Sequence, residues 1–115
     1  FTSGTLAGST YTAFLTPCGN SSGNRNDVWY RFTAVGNQAT ITINSTGTLG
    51  GTAAPRFQIT DNNCTSPTTV YCSNNNIGTV TGLSNGTQYL LRVYCNNNQM
   101  TTFNICVQSL PDNPL

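Results

Sequence analysis

Reactive side chains are few in this chain, and their types narrow the chemistry before any fold is considered. The carboxylates are Asp27, Asp61 and Asp112, and the guanidinium groups are Arg25, Arg31, Arg56 and Arg92. The thiols are Cys18, Cys64, Cys72, Cys95 and Cys106, and the chain has no His, Glu or Lys. Acid–base catalysis needs a positioned group that exchanges protons near the working pH, and a Cys nucleophile needs a neighbouring base. Neither is supplied here. Asp27 and Asp61 could act as a glycosidase pair only by facing each other across a cleft, and both lie in turn-like contexts. The chain reads as a non-enzyme with no catalytic residue.

Three constellations remain. Asp61-Asn62-Asn63, with Asp27, offers oxygen ligands to Ca²⁺, which takes carboxylates and carbonyls. The spacing is not that of an EF-hand, and capping of turns by Asp and Asn explains the same residues without metal. Trp29, Arg31, Arg92 and Tyr94 form the candidate ligand-binding set. Aromatic rings on an open sheet face stack on sugars, and Arg bonds hydroxyls or carboxylates. The competing reading makes Trp29, the single Trp of the chain, a core residue.

The third constellation is the cysteines. Without His or a CxxC spacing, zinc is excluded, and disulfides in an oxidising compartment are expected. Cys64 and Cys72 stand either side of seven residues, and a bridge between them would contribute about 2–3 kcal/mol. Cys18, Cys95 and Cys106 then allow Cys18–Cys106, taken as the leading pair, Cys18–Cys95 or Cys95–Cys106, and one thiol is left over. Cys95–Cys106 is disfavoured if the strands around Asn98 form a tight hairpin.

The elements that must position these residues are strands. Asp27 to Ala34 alternates, with Val28, Tyr30, Phe32 and Ala34 on one face and Trp29, Arg31 and Thr33 on the other. Further strands are expected at Gly4 to Gly8, Tyr11 to Leu15, Ala39 to Asn44, Arg56 to Thr60, Thr69 to Cys72, Ile77 to Thr81, Gln88 to Cys95 and Thr101 to Val107. The last two read as a tight hairpin. Ser45 to Ala54 reads as a loop, and Asn85-Gly86 is a turn signal. Thr, Asn and Gly are abundant and helix formers sparse, so no helix is expected. The pattern predicts an all-β antiparallel sandwich of jelly-roll type with about eight or nine short strands. One module is expected over residues 1–108, with a Pro-rich exit linker over 109–115.

Composition limits the partners. Charged residues make up 6% of 115 residues, against roughly 25% in an average domain. A net charge of +1 gives no electrostatic footprint for nucleic acid and no polybasic patch for lipid. No apolar run of about 18 residues exists for a spanning helix.

Pro17-Cys18-Gly19 before Asp27-Val28-Trp29-Tyr30-Arg31-Phe32-Thr33 is one motif, and Asp61 with Cys64 and Cys72 a second. Leu83-Ser84-Asn85-Gly86-Thr87-Gln88-Tyr89-Leu90-Leu91-Arg92-Val93-Tyr94 followed by Phe103-Asn104-Ile105-Cys106-Val107 is the third. In this order they resemble the pre-peptidase C-terminal-like (PPC-like) jelly-roll modules of Bacteroidetes secreted and surface proteins. The resemblance implies export, often by the type IX system, and a non-catalytic role in tandem adhesin repeats or beside hydrolases. It also implies that the leftover thiol finds its partner in a segment preceding Phe1, and that Leu110 to Pro114 is an inter-module linker.

The function expected is therefore a non-catalytic extracellular module of a bacterial surface or adhesin protein, as a repeat or a filament-forming subunit. Its partners would be neighbouring modules or copies of itself. The alternative is a carbohydrate-binding accessory module of a secreted hydrolase, with surface glycans as partner.

Overall fold

The computed structural model describes residues 2–6, 10–11, 26–49, 55–73, 75–95 and 100–110. They form nine strands and no helix: β1 (Thr2–Thr5), β2 (Thr10–Tyr11), β3 (Asn26–Thr33), β4 (Gln38–Leu49), β5 (Pro55–Asp61), β6 (Thr69–Cys72), β7 (Ile77–Val80), β8 (Gln88–Cys95) and β9 (Met100–Leu110). Two antiparallel sheets result, ordered β1-β9-β4-β7 and β2-β3-β8-β5-β6. The pairs β5·β6, β4·β7, β3·β8 and β1·β9 are nested, each enclosing the one before. The chain is thus one long hairpin rolled into a sandwich, which is the jelly roll.

Alternation builds the core. Ile41 and Ile43 of β4, Phe57 and Ile59 of β5, Leu91 and Val93 of β8, and Phe103 of β9 are fully buried between the sheets. Val28, Tyr30 and Phe32 of β3 pack against them from the face assigned by their spacing. Rings then join the layers. Tyr30 of β3 meets Phe103 of β9 edge-on at 6.4 Å between centroids, and Tyr71 of β6, stacked at 5.8 Å on Phe57 of its own sheet, reaches Gly78 of β7 in the other.

Three expectations need correction. β8 and β9 are not a hairpin: β8 is central in the five-stranded sheet and β9 lies between β1 and β4 in the other. Each strand has an apolar face and needs partners on both edges, which two separate sheets supply and a hairpin would not. Residues 45–49 are strand, not loop. β4 continues through a bulge between Ser45 and Gly47 and pairs Leu49 with Met100, because long-range pairing with β9 overrides the small, polar composition. Ser109 and Leu110, placed in the exit linker, belong to β9 and pair with Ala39 and Gln38; the remainder of that segment, including Asp112, lies outside the described residues.

The Asn85-Gly86 turn forms, with Gly86 at φ 84°, but it carries the chain from β7 in one sheet to β8 in the other. It is locked to the β3–β4 turn: Gly86 N donates to Ala34 O at 2.8 Å, Ala34 N to Thr87 O at 2.9 Å, and Gly36 N to Asn85 Oδ1 at 2.8 Å. The Tyr89 hydroxyl accepts from Ser84 N at 2.9 Å and closes the corner.

Candidate functional site

The outer face of the five-stranded sheet holds the polar chemistry of the molecule. β3 and β8 are neighbours, with Asp27 opposite Tyr94, Trp29 opposite Arg92 and Arg31 opposite Leu90. An Arg-aromatic ladder therefore runs across the two strands. Arg92 Cζ lies 5.8 Å from the Trp29 ring centroid and 5.4 Å from that of Tyr94. Arg92 Nε donates to Asp27 Oδ2 at 2.6 Å, and Nη1 donates to Gln58 Oε1 at 3.1 Å. Gln58 Nε2 passes the chain on to Thr69 Oγ1 at 2.9 Å. One polar line thus crosses β3, β8, β5 and β6.

From Asp27 through Arg92 to Gln58 this line is buried, and it ends at the exposed Thr69. Arg92 and Tyr94 are 0% exposed, so neither can touch a ligand, and that half of the expected binding set is corrected. Sugar stacking needs this sheet face open, and over Arg92 and Tyr94 it is covered, in line with the competing, buried reading. Within that cover Arg92 is met by a carboxylate, an amide and two ring faces, partners a buried guanidinium requires.

The other half of the set, Trp29 and Arg31, lines an open cleft of about 370 Å³. They are two residues apart on β3 and share its outer face. Leu90 lies at the floor, and Cys64 and Pro67 of the β5–β6 loop complete the wall. The loop is shaped by its own side chains. Asn63 Oδ1 accepts from Thr65 N at 3.1 Å and Ser66 N at 3.0 Å, and Asp61 Oδ1 accepts from Thr68 N at 3.0 Å. The Asn63 pair are Asx-type turn bonds, whereas the Asp61 bond closes the loop across seven residues. Asn62 spans loop and sheet. Its Oδ1 accepts from Arg31 Nε at 3.0 Å, and its Nδ2 donates to Gln88 Oε1 at 3.4 Å. Leu90, Asn62, Cys64, Pro67 and Gln88 were not singled out as ligand contacts. The turn cluster at Asp61 to Pro67 was visible, but only the fold brings it beside β3.

Asp27 and Asp61 do not share a site. Asp27 pairs with Tyr94 of β8 and Asp61 with Tyr89, five residues along the same strand, or about 17 Å at strand rise. Asp27 serves Arg92 and Asp61 closes its loop. The joint Ca²⁺ site and the glycosidase pair both fail on that separation, since paired glycosidase carboxylates stand about 5–9.5 Å apart.

The expected disulfides are corrected too. Cys64 is a free, exposed thiol and Cys106 a free, half-buried one. Cys72 is disulfide-bonded, to a cysteine whose side chain lies outside those described. β6 carries Cys72 three residues past Thr69, about 10 Å beyond the loop, whereas bridged Cα atoms lie within roughly 7 Å. Cys106 faces outward on β9, opposite Thr42. Cys18 lies outside the described residues.

Among the described residues no three His, Cys, Asp or Glu side chains cluster as a metal site, and no helix is long and apolar enough to cross a membrane.

Comparison with known proteins agrees with this architecture. Residues 2–107 match the model of a galactose-binding-domain-like family associated with the type IX secretion system. Neither the curated proteins nor the solved structures gave a match. The match replaces the PPC-like assignment drawn from sequence motifs while keeping its type IX association and its β-sandwich. Because it spans all but the ends of the chain, the protein belongs to this galactose-binding-domain-like, type IX-associated family.

Proposed function

We propose that this is a non-catalytic extracellular module that binds glycans through the Trp29–Arg31 cleft. The observation that carries the reading is the cleft itself. It is a half-open site with an indole wall, a Leu90 floor, a proline ring and one guanidinium, in a chain whose family is galactose-binding-like. Aromatic and aliphatic surface receives the C–H face of a sugar ring, and Arg31 bonds its oxygens. The ion-paired line behind Trp29 holds the indole from the rear, so little side-chain ordering remains to oppose binding. Export to the cell surface, as part of an adhesin or beside a hydrolase, suits such a module.

The test is affinity electrophoresis or calorimetry against a glycan panel that includes galactans. Trp29→Phe is expected to retain binding, and Trp29→Ala to abolish it while leaving a folded protein. Binding unaffected by Trp29→Ala, or no glycan bound at all, would overturn the cleft as a sugar site.

A second reading rests on the other sheet. The exposed outer side chains of the four-stranded sheet include Thr5, Asn44, Ile77, Thr79, Thr102 and Gln108, none of them charged. Such a face can pack against a neighbouring module or copy without stripping water from ions. Concentration-dependent sedimentation that Thr79→Arg suppresses supports this packing; a monomer at all concentrations argues against self-association.

A further inference from the structure

We infer that the cleft selects an acidic sugar, one bearing a carboxylate, over a neutral one; this rests on the glycan-binding reading above. Among the described residues the cleft lining contains one charge, that of Arg31, and no carboxylate. The nearest acids are committed elsewhere. Asp27 is paired with Arg92, and Asp61 accepts from Thr68 N. Arg31 is itself exposed and held at one point, its Nε donating to Asn62. Among the described residues its Nη groups make no hydrogen bond. A guanidinium fixed through Nε still presents its terminal fork, two parallel N–H donors matched to a carboxylate.

Hydrogen-bond balance points the same way. Two side-chain amide oxygens beside the cleft already accept one hydrogen bond each: Asn62 Oδ1 from Arg31 Nε, and Gln88 Oε1 from Asn62 Nδ2. Arg31 keeps donor capacity at its Nη groups, which make no hydrogen bond among the described residues. A neutral sugar brings hydroxyls that must donate as well as accept, and it leaves the cation without a counter-charge. A carboxylate brings only acceptors and one negative charge. The apolar floor of Leu90 and wall of Pro67 keep that pair partly out of water, where its attraction is stronger.

The experiment uses the thiol at the cleft mouth as a reporter. Cys64 is exposed and free, and Cys106, free on the outer face of the other sheet, is an internal control. The whole protein is alkylated with N-ethylmaleimide in the presence of polygalacturonate, neutral galactan or κ-carrageenan, and the rate at each Cys is read by peptide mass. Polygalacturonate is expected to slow Cys64 and spare Cys106, with an affinity at least about tenfold above that for galactan. Arg31→Gln should lose about tenfold for the polyuronate and under about twofold for galactan. Rising NaCl should weaken only the former in the unmutated protein, a readout that stands even if the variant folds poorly.

Equal protection by galactan and polygalacturonate, or equal loss in Arg31→Gln, overturns acid selectivity and leaves the glycan reading intact. Protection by the sulfated polymer without the polyuronate overturns the carboxylate assignment. No protection by any of the three overturns both.

Discussion

The two sheets share one core and have opposite outer faces. Every charged side chain among the described residues, Asp27, Arg31, Arg56, Asp61 and Arg92, lies on the five-stranded sheet, and β1, β4, β7 and β9 carry none. The outer face of the five-stranded sheet is covered over Gln58, Thr60, Leu90, Arg92 and Tyr94; that of the four-stranded sheet is open along Thr79, Thr102 and Gln108. A cover allows a sheet to keep an ion pair dry behind its aromatic residues. The cleft forms where this cover stops, between Trp29 and the β5–β6 loop. The open sheet needs no such device, because Thr and Asn are satisfied by water and by each other, as in the Thr40–Thr79 hydroxyl pair at 3.0 Å. The charges among the described residues are thus concentrated on one sheet of the two.

The contrast between the two outer faces is tested most strongly by removing one ion partner. Asp27→Ala leaves the Arg92 charge buried with its closest partner gone, and the expected cost is about 3–5 kcal/mol. Urea denaturation measures it. Thr42→Ala, on the outer face of the other sheet, is expected within about 0.5 kcal/mol of the unmutated protein. Comparable losses from the two substitutions would mean the covered face is not energetically distinct. The double variant Asp27→Leu with Arg92→Met should recover most of the loss, since well-packed apolar replacement of a buried pair is often neutral.

A smaller effect is expected where the sheets touch. Gly78 on β7 faces Tyr71 on β6, and a Cβ built there would lie 2.6 Å from Tyr71 Oη and 3.1 Å from Phe57 Cζ. Gly78→Ala therefore drives a methyl into the ring that bridges the layers, at an expected cost of about 1–3 kcal/mol. Tyr71→Phe removes the nearest atom, so the pair of substitutions should cost less than their sum in a double-mutant cycle. Strict additivity would show that the edges of the sheets do not communicate through Tyr71.

The comparison of sheets also explains what could be read from sequence. From Asp27 onward alternation located the strands, apart from the 45–49 extension of β4, and assigned their faces: Val28, Tyr30 and Phe32 turn to the core, and Tyr89, Leu91 and Val93 with them; the opening strand, expected over Gly4 to Gly8, lies at Thr2–Thr5. The jelly roll followed from number and spacing of strands. Which strands pair did not, because nested pairing joins residues far apart in the chain, as β1 with β9, and alternation carries no address for a partner. For the same reason the β8–β9 hairpin was expected from adjacency alone. In the site, Trp29 and Arg31 were legible as an outward pair on one strand. That Arg92 and Tyr94 on the next strand lie under cover depends on what packs over them, to which a two-residue period is blind. The cysteines show the same limit: seven residues between Cys64 and Cys72 suggested a loop, but β6 places Cys72 beyond reach.

The smallest effect belongs to Tyr30, which leaves the charged sheet and ends against Gly4 and Phe103 of the neutral one. Burial raises its phenol above the ordinary value of 10.0, because the anion would lose water without gaining a partner. The neutral form is thus favoured in the folded state. Below pH 10 both states keep the proton, and this group adds no pH dependence. Above it the unfolded chain releases the proton while the folded chain retains it, so stability falls with rising pH until the folded group also ionises. Urea midpoints for the unmutated protein and Tyr30→Phe, taken from pH 8 to 11, isolate the contribution, since all other groups are common to both. The two curves should run parallel up to about pH 10 and then diverge, with the Phe variant losing less. If they stay parallel throughout, the hydroxyl reaches water between the sheets, and the seam between the charged and uncharged layers is wetter than the packing of Tyr30 on Phe103 implies.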